Sequence, residues 1–324
     1  MYKRDLPKLN YMSDTPFAPI PPSEQGLQTI TADLFYKVSD EFEQLEGLCF
    51  DRKGDLYFVG IYSSHIFKLE METKKLSIVF TAPEGYAPAS LKVHKDGRLF
   101  ICGLGDFENA GCIFSINPDG SDMRMIIPFE EGYVVDDLVF DQDGGFYFTD
   151  YKGSAGNPSG GIYYVSPDYK TITPVIKNLY APNGITLTPE QNALWVTESC
   201  ANRLHYIPFN EDKVTVSSIS CSVPYHFTGY FGPDSCCIDN DGNVYVAMYE
   251  QGRCMVFNKF GYPTGQVLIP GRERGHMLRS EHPMLRPGTD ELYICSNDYT
   301  RGEGAGIFVA RAFADAFMGG YQFR

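Results

Sequence analysis

The sequence predicts an all-β fold, and more specifically a six-bladed β-propeller. One apolar triplet recurs six times, at a spacing of about 47 residues. Each triplet follows a short turn rich in Gly, Asp or Asn, the residues that tight hairpins favour. Apolar residues at the helical spacing of i, i+3, i+4 and i+7 are missing outside residues 310–317. These three observations favour strands throughout the chain.

Each repeat contains strands separated by a turn and a loop. The triplets form one strand of each repeat, at 56–58, 99–101, 146–148, 194–196, 244–246 and 292–294. The turns before them lie at 51–55, 94–98, 141–145, 188–193, 239–243 and 286–291, and an apolar run precedes each turn. A further apolar run follows each triplet, at 66–67, 113–114, 162–164, 204–206, 255–257 and 307–309. Six such meanders match the blades of a propeller.

The alternative all-β architecture is a β-sandwich, but a β-sandwich rarely repeats one strand-turn-strand sequence pattern six times. We therefore predict a single propeller domain over residues 1–324. Residues 1–26 form an extended N-terminal segment, 27–45 contain a closing strand, and 46–324 hold the six repeats. The segment 27–33 is expected to add an outer strand to the last blade and so close the ring.

Charge narrows the range of partners. The 324 residues include 27 Lys and Arg against 41 Asp and Glu, a formal net charge of −14, without a cluster of basic residues. Such a surface does not attract nucleic acid or an anionic membrane. Small molecules and cations are the expected partners, and the oligomeric state cannot be read from the sequence.

The N-terminus and the cysteines indicate the compartment. Prolines and polar residues interrupt residues 1–22, so no apolar signal segment is formed, and no run reaches the roughly 18 apolar residues of a membrane span. Most of the nine cysteines lie in apolar runs without metal-site spacing. We therefore expect reduced cysteines and a cytoplasmic protein.

The repeat register places polar side chains at one mouth of the central channel. Counting back ten residues from each triplet, or eleven in the fourth repeat with its longer turn, gives Glu46, Ala89, Asp136, Asn183, Asp234 and His282. Four of the six are oxygen donors, and carboxylates so placed repel one another unless a cation or protons hold them together. The set suits Ca²⁺, and less readily Mg²⁺ or Mn²⁺. We predict a metal site at the mouth of the central channel.

Individual residues near the channel mouth also allow other roles. Asp and Asn also cap strand ends, which is the alternative role for the ring. His282 can form a sixth wall of the pocket, although a hard Ca²⁺ centre does not favour imidazole. Ser235 is expected to contribute its backbone carbonyl, because no nucleophile elbow or recognisable triad accompanies its hydroxyl. The long Gly-rich connections 102–112, 149–161 and 295–306 are either plain connectors or a lid over the channel mouth.

Several stretches carry a resemblance to a known family. They include LEGL (45–48), APNGI (181–185), LWVTE (194–198), PDS (233–235), HKDGRLF (94–100), GPDSCCID (232–239) and VFNKFGYP (256–263). The chain resembles the gluconolactonase and regucalcin superfamily of six-bladed propellers, and within it the bacterial drug-responsive lactonases, from about residue 27 to the end.

That resemblance implies a calcium-dependent lactonase acting on a small-molecule lactone. The channel Ca²⁺ is implied to be held by Glu46, Asn183 and Asp234, with Asp136 beside it and the carbonyl of Ser235 as a further contact. A second, structural ion is implied at the loop with Asn109 and Gly111 and at the segment before Asp136. Segment 128–137 is one residue shorter than in the family, and Glu130, Glu131 and Tyr133 are the candidate ligands there.

The expected mechanism has Ca²⁺ polarising the lactone carbonyl as a Lewis acid while a carboxylate handles the proton of the attacking water. Asp136 is the candidate base, and Asp234 is a ligand that can relay a proton to the leaving alkoxide; the two roles can be exchanged. Two alternatives stay open. One is a noncatalytic ligand- or protein-binding propeller with a structural calcium, and the other is a calcium-dependent phosphotriesterase.

Overall fold

The structure is a computed structural model, and it describes residues 18–217, 219–299 and 301–323. Two strands precede the repeats, β1 (Gln28–Thr31) and β2 (Asp33–Ser39). The first three repeats contain β3 (Leu45–Phe50), β4 (Leu56–Gly60), β5 (His65–Leu69), β6 (Leu76–Thr81), β7 (Pro88–Val93), β8 (Leu99–Gly103), β9 (Cys112–Ile116), β10 (Arg124–Ile127), β11 (Val135–Phe140), β12 (Phe146–Asp150), β13 (Gly160–Val165) and β14 (Ile172–Leu179).

The last three repeats continue the same pattern. They contain β15 (Pro182–Leu187), β16 (Ala193–Glu198), β17 (Arg203–Pro208), β18 (Ser222–His226), β19 (Pro233–Ile238), β20 (Val244–Met248), β21 (Arg253–Phe257), β22 (Pro263–Leu268), β23 (Arg279–Leu285), β24 (Glu291–Asp298) and β25 (Gly304–Arg311). The helical segments in the described ranges are single 3₁₀ turns at Pro22–Glu24, Phe129–Glu131, Ser199–Ala201, Arg272–Arg274 and Tyr321–Phe323. None of these is long or apolar enough to cross a membrane.

The strands form six sheets, one per repeat, and the predicted six-bladed propeller is confirmed. The strands that each repeat contributes are neighbours in chain order and form an antiparallel meander, and blades five and six each gain one further strand from the segment before the repeats. The innermost strands β3, β7, β11, β15, β19 and β23 contact one another in a closed circle, including β23 against β3. This circle surrounds the channel that positions the candidate site.

Ring closure differs in part from the prediction for segment 27–33. Gln28–Thr31 does not join the last blade; it pairs in parallel with β22 as a fifth strand of blade five. The chain then passes to blade six at the buried Ala32, whose N–H donates to the carbonyl of Leu268 at 2.9 Å. The outer strand of blade six is Asp33–Ser39, antiparallel to β25. The outer strand of blade six therefore lies within 27–45, but later than the predicted segment 27–33.

The core is a set of six interfaces between neighbouring blades, built by the predicted triplets. Alternate residues of a strand face opposite sides of a sheet. The central residue of each triplet accordingly packs with the first and third residues of the next triplet, as Tyr57 does with Leu99 and Ile101. Tyr293 of blade six packs in the same way against Leu56 and Phe58 of blade one, which closes the ring. The central residues of the other triplets make the equivalent contacts: Phe100, Tyr147, Trp195 and Tyr245. Burying each such side chain contributes about 1.5–3 kcal/mol.

Acidic side chains in the turns fix the register of the hairpins in blades one and five. In blade five, the carboxylate of Asp239 accepts hydrogen bonds from the backbone N–H groups of Asp241 at 3.0 Å and Asn243 at 2.8 Å. Asp51 does the same in blade one, accepting from Lys53 at 2.8 Å and Asp55 at 3.0 Å. These local bonds explain why the Asp- and Gly-rich segments are turns.

A bulge occurs in every innermost strand close to the channel mouth. The pairing register shifts between Glu46 and Cys49 in blade one, and at the matching place in the other five blades. Bulges redirect side chains. Two glycines let neighbouring strands approach here, since a Cβ on Gly47 would lie 2.6 Å from the Cα of Ser90 and one on Gly184 would lie 2.5 Å from the amide nitrogen of Cys236.

Candidate functional site

The four oxygen donors predicted for the ring lie on the wall of one cavity of about 510 Å³ at the channel mouth. Glu46, Asp136, Asn183 and Asp234 are each the second residue of an innermost strand, β3, β11, β15 and β19. All four are at least nine-tenths buried. Ala89 takes the matching place in β7 and packs with the buried Leu104 and Val134. Sequence register thus brings these residues to one mouth, as expected from the repeat.

Blade six requires a correction. The residue that lines the cavity is Glu281, whereas His282 is fully buried and is not part of the cavity wall. The bulge of β23 lies between Ser280 and Pro283, which gives Glu281 the place that Asp136 has between Val135 and Leu138. The turn 286–291 has six residues, as has 188–193, so the count back should have been eleven. The length of this turn is the sequence signal that could have identified Glu281.

Three carboxylates converge closely in this site. Oxygens of Glu46, Asp234 and Glu281 all lie within 4.8 Å of one another. The carboxylate of Glu46 accepts from its neighbour Gly47 N–H at 2.6 Å and lies 3.0 Å from Nδ1 of His282. His282 therefore contacts the site from behind Glu46 instead of forming a wall of it.

Hydroxyl groups of the second strands hold the ring backbone in place. Thr149 Oγ1 of blade three donates to the carbonyl of Asn183 at 2.7 Å. Thr197 Oγ1 of blade four donates to the carbonyl of Asp234 at 2.6 Å. The hydroxyl of Ser235 donates to Oδ1 of Asn183 at 3.3 Å. These bonds run from blade to blade, so Asn183 and Asp234 are each held by a neighbouring blade.

The electrostatics of the site follow from burial and like charge. Burial, followed by the nearby carboxylates, raises the pKa of Glu46, Asp136 and Glu281 well above the usual range. Burial raises the pKa of Asp234 to about 7, against the opposing effect of its hydrogen bond with Asn183. No Lys or Arg is among the described residues that line the cavity. The carboxylates therefore have no basic side chain on the cavity wall to compensate them, and the influence of Lys92 on Asp136 and of Arg279 on Glu281 does not prevent the upward pKa shifts. They favour a proton or a cation.

A buried ion pair lies behind the acidic ring, and sequence reasoning missed it. Asp137 follows Asp136 in β11, and its Oδ1 lies 2.6 Å from Nζ of Lys92 in β7. Burial acts to raise the pKa of Asp137, but the charges of Lys92 and His282 and the hydrogen bonds with Lys92 and Ser90 together outweigh it, and the net shift is downward. This pair connects blades two and three. Lys92 also lines a cavity of about 110 Å³ that is bordered by Phe317, Tyr321 and Gln322 of the C-terminal segment.

Aromatic side chains form much of the remaining wall. Two of the long connections reach the cavity, with Leu104 and Phe107 from 102–112 and Tyr151 and Ala155 from 149–161. Residues 295–306 are absent from the wall as far as the structure describes them. Segment 229–233, which the sequence did not single out, contributes Tyr230 and Phe231. The mouth is thus an apolar rim around an acidic floor.

Two of the four residues proposed for a second ion, Gly111 and Tyr133, are in direct contact. The N–H of Gly111 donates to the carbonyl of Tyr133, which joins the loop to the segment before Asp136. The side chain of Asn109 donates to Asp106 at 3.3 Å. Glu130 is exposed in the 3₁₀ turn Phe129–Glu131. Whether these residues bind an ion stays a prediction.

Together, fold and site define a six-bladed β-propeller with an acidic, oxygen-lined channel mouth. The chain belongs to the SMP-30/Gluconolactonase/LRE-like family, whose sequence model matches residues 45–296. It is 50% identical over 325 aligned residues to Lactonase drp35 of Staphylococcus aureus (strain USA300), with 100% of both chains covered. It has the same identity and coverage with Lactonase drp35 of Staphylococcus saprophyticus.

Solved structures share the fold at lower sequence identity. A luciferin-regenerating enzyme matches with a TM-score of 0.70 and 17% identity, covering 87% of this chain and 97% of its own. The calcium-binding protein regucalcin from Agrobacterium tumefaciens matches with a TM-score of 0.70 and 14% identity, covering 89% and 98%. A gluconolactonase from Xanthomonas campestris matches with a TM-score of 0.69 and 16% identity, covering 92% and 95%.

Proposed function

We propose that this protein is a lactonase that hydrolyses a lactone ring to the hydroxy acid and depends on a divalent cation, Ca²⁺ being the expected ion. The observation that carries the proposal is the convergence of buried carboxylates within 4.8 Å at the channel mouth of a chain 50% identical, over its full length, to Lactonase drp35. The proposed ligands are Glu46, Asn183 and Asp234, with Asp136 beside the ion and the carbonyl of Ser235 as a further contact.

The donor set fits a hard cation. Its side-chain donors are carboxylate and amide oxygens, the ligands that Ca²⁺ prefers, and Mg²⁺ or Mn²⁺ fit such a set less readily. Glu46, Asp136 and Asp234 have raised pKa values, which indicates that they are short of compensating positive charge. The regucalcin neighbour is described as a calcium-binding protein, and this supports the same choice of ion.

In the proposed reaction the residues divide the work of orientation and proton transfer. A divalent cation bound at the mouth supplies Lewis-acid polarisation of the lactone carbonyl. Asp136 accepts the proton of the attacking water, and Asp234 carries a proton to the leaving alkoxide oxygen. The aromatic rim limits access of bulk water.

Two further parts of the proposal concern the second ion and the compartment. We assign the second, structural ion to Asn109, Gly111, Glu130 and Tyr133, supported by the contact between Gly111 and Tyr133. We place the protein in the cytoplasm. Its nine cysteines are free and seven of them are buried, which suits a reducing compartment.

The test is hydrolysis of a panel of lactones by the chelator-treated protein, before and after Ca²⁺ is added back. Loss of activity with the chelator and recovery with Ca²⁺ support the proposal. Activity that ignores the chelator refutes the metal role. A phosphotriester is included in the panel, since hydrolysis of it alone would indicate the phosphotriesterase alternative. Inactivity on every lactone would favour a noncatalytic binding protein.

A further inference from the structure

We propose that Glu281 is a direct ligand of the cation at the channel mouth, so that three carboxylates of this chain converge on one ion. The inference rests on the proposed function and adds to it a residue that the ring prediction did not contain. Its basis is geometric, because oxygens of Glu46, Asp234 and Glu281 lie within 4.8 Å of one another while coming from blades one, five and six. A single ion can bridge atoms at that separation, given Ca²⁺ to oxygen distances of about 2.3–2.6 Å.

The carboxylate of Glu281 is oriented by two amide groups. Nδ2 of Asn297 donates to Oε1 at 2.7 Å, and Nε2 of Gln44 donates to Oε2 at 3.1 Å. A carboxylate has about four lone-pair sites, so these bonds leave about two free. The remaining lone pairs are available to a ligand in the cavity that Glu281 lines.

The supporting amides show the same incomplete pairing. Oδ1 of Asn297 and Oε1 of Gln44 are buried without a hydrogen-bond partner among the described residues. Asn297 is completely buried, and its amide donates to Glu281 while its own oxygen is left unpaired. Leaving a buried acceptor unpaired is unfavourable. The unpaired amide oxygens are explained if Asn297 and Gln44 serve as donors that hold the carboxylate of Glu281 in place for an ion.

Glu281 changes the charge balance of the site. With Glu46, Asp136 and Asp234 it brings the ring to four carboxylates, a formal charge of −4 when all are ionised. One divalent cation leaves an excess of negative charge, and a trivalent ion of similar size leaves less. An additional protein ligand also favours Ca²⁺, which takes six to eight oxygens, over Mg²⁺, which retains water. We therefore expect tight binding of Tb³⁺ and discrimination against Mg²⁺.

The experiment measures ion affinity by isothermal titration calorimetry of the metal-free full chain with CaCl₂ and, separately, TbCl₃. Glu281→Gln keeps the size of the side chain and removes its charge. We expect it to weaken Ca²⁺ binding at this site by at least about tenfold, with a larger loss for Tb³⁺. Glu46→Gln identifies the heat that belongs to this site. Glu190→Gln, at an exposed position in the turn 188–193, makes the same change in net charge and should leave both affinities unchanged.

The outcomes separate this inference from the proposed function. If Glu281→Gln binds Ca²⁺ as tightly as the wild type while Glu46→Gln is weakened, the role of Glu281 is wrong and the ion site stands. If the wild type binds no ion, both are wrong. Thermal melts in chelator check that each variant folds. Glu281→Asp retains the charge on a shorter side chain, and its affinity should lie between those of the wild type and Glu281→Gln. It provides the measurement if Glu281→Gln folds poorly. Equal affinity in Glu281→Asp and in the charge-removing variant would also contradict direct ligation.

Discussion

Lys92 Nζ lies 2.6 Å from Asp137 Oδ1, and this ion pair joins the innermost strands of blades two and three just behind the acidic ring. The carboxylate of Asp137 also accepts the N–H of Leu138 at 2.8 Å, so its lone pairs are well used. Its side chain is fully buried. A neutral pair in this place spares the ring a further unpaired carboxylate.

Breaking this pair should destabilise the fold. Lys92→Met leaves a buried, unpaired carboxylate at Asp137, and we expect the free energy of unfolding to fall by about 3–5 kcal/mol. Denaturant unfolding measures the change. The double variant Lys92→Met/Asp137→Leu removes both charges and should recover most of the loss. A single variant as stable as the wild type would show that the pair does not support the ring.

The N-terminal segment should depend on another buried pair. Oε2 of Glu24 lies 2.6 Å from Nη1 of Arg253, both side chains are 1% exposed, and Tyr225 donates its hydroxyl to Glu24 at 2.6 Å. Glu24→Ala should lower the free energy of unfolding by about 3–5 kcal/mol because Arg253 is left unpaired. The exposed Glu41→Ala serves as the control. Lactone hydrolysis at a temperature where the variant is folded should be unchanged, since blade five binds this segment away from the cavity wall.

Turnover should depend on the two proton-handling carboxylates. Asp136→Asn and Asp234→Asn are each expected to reduce kcat for lactone hydrolysis by at least about 10²- to 10⁴-fold, the usual contribution of a general acid or base. Asp143→Asn, an exposed position in the turn at the far end of the same blade-three hairpin, is the matched control. Circular dichroism checks that the propeller is retained. Undiminished hydrolysis by either site variant would remove that residue from the mechanism.

Stability of the metal-free protein should fall as pH rises. The pKa of Asp234 is about 7 in the folded protein, against about 3.9 for an unperturbed Asp. The folded state then binds more protons than the unfolded state between these values, so the free energy of unfolding decreases from about pH 4 to above pH 7. The raised pKa values of Glu46, Asp136 and Glu281 act in the same direction.

Denaturant unfolding at a series of pH values, in chelator and in excess Ca²⁺, checks this dependence. Ca²⁺ should flatten the profile because a bound cation takes the place of the protons, and at 100 times its Kd it should add about 2.7 kcal/mol. Asp234→Asn should reduce the slope in chelator. A metal-free protein that becomes more stable between neutral and mildly alkaline pH would contradict the assigned electrostatics.

The repeated triplets made the fold predictable. Successive side chains of a triplet point to opposite faces of the sheet, and each face packs against a neighbouring blade. Tyr57 and its equivalents are buried for the reason that the sequence indicates, and Glu46, Asp136, Asn183 and Asp234 reach one cavity through the same register. Glu281 was missed through the length of one turn. The turn 286–291 has six residues, as has the turn 188–193, so the same spacing of eleven residues applies in both blades.

Other features depend on contacts that no repeat encodes. The parallel pairing of Gln28–Thr31 with β22 joins segments far apart in the chain, and its short exposed pattern does not distinguish blade five from blade six. The pair between Lys92 and Asp137 is likewise nonlocal, because each residue lies in a different blade. Segment 229–233 reaches the cavity through its path between blades, which its composition does not indicate.

The strand Asp33–Ser39 has a consequence for biosynthesis. It is translated before the six repeats, whereas its partner Gly304–Arg311 is translated after the strands of blades one to five. Until then its backbone groups are an unpaired edge, and the face of blade one that packs on Tyr293 is uncovered. Closure of the ring therefore requires Gly304–Arg311, and a nascent chain stalled before residue 304 would be an open arc with the exposed strand edge and apolar surface that favour aggregation.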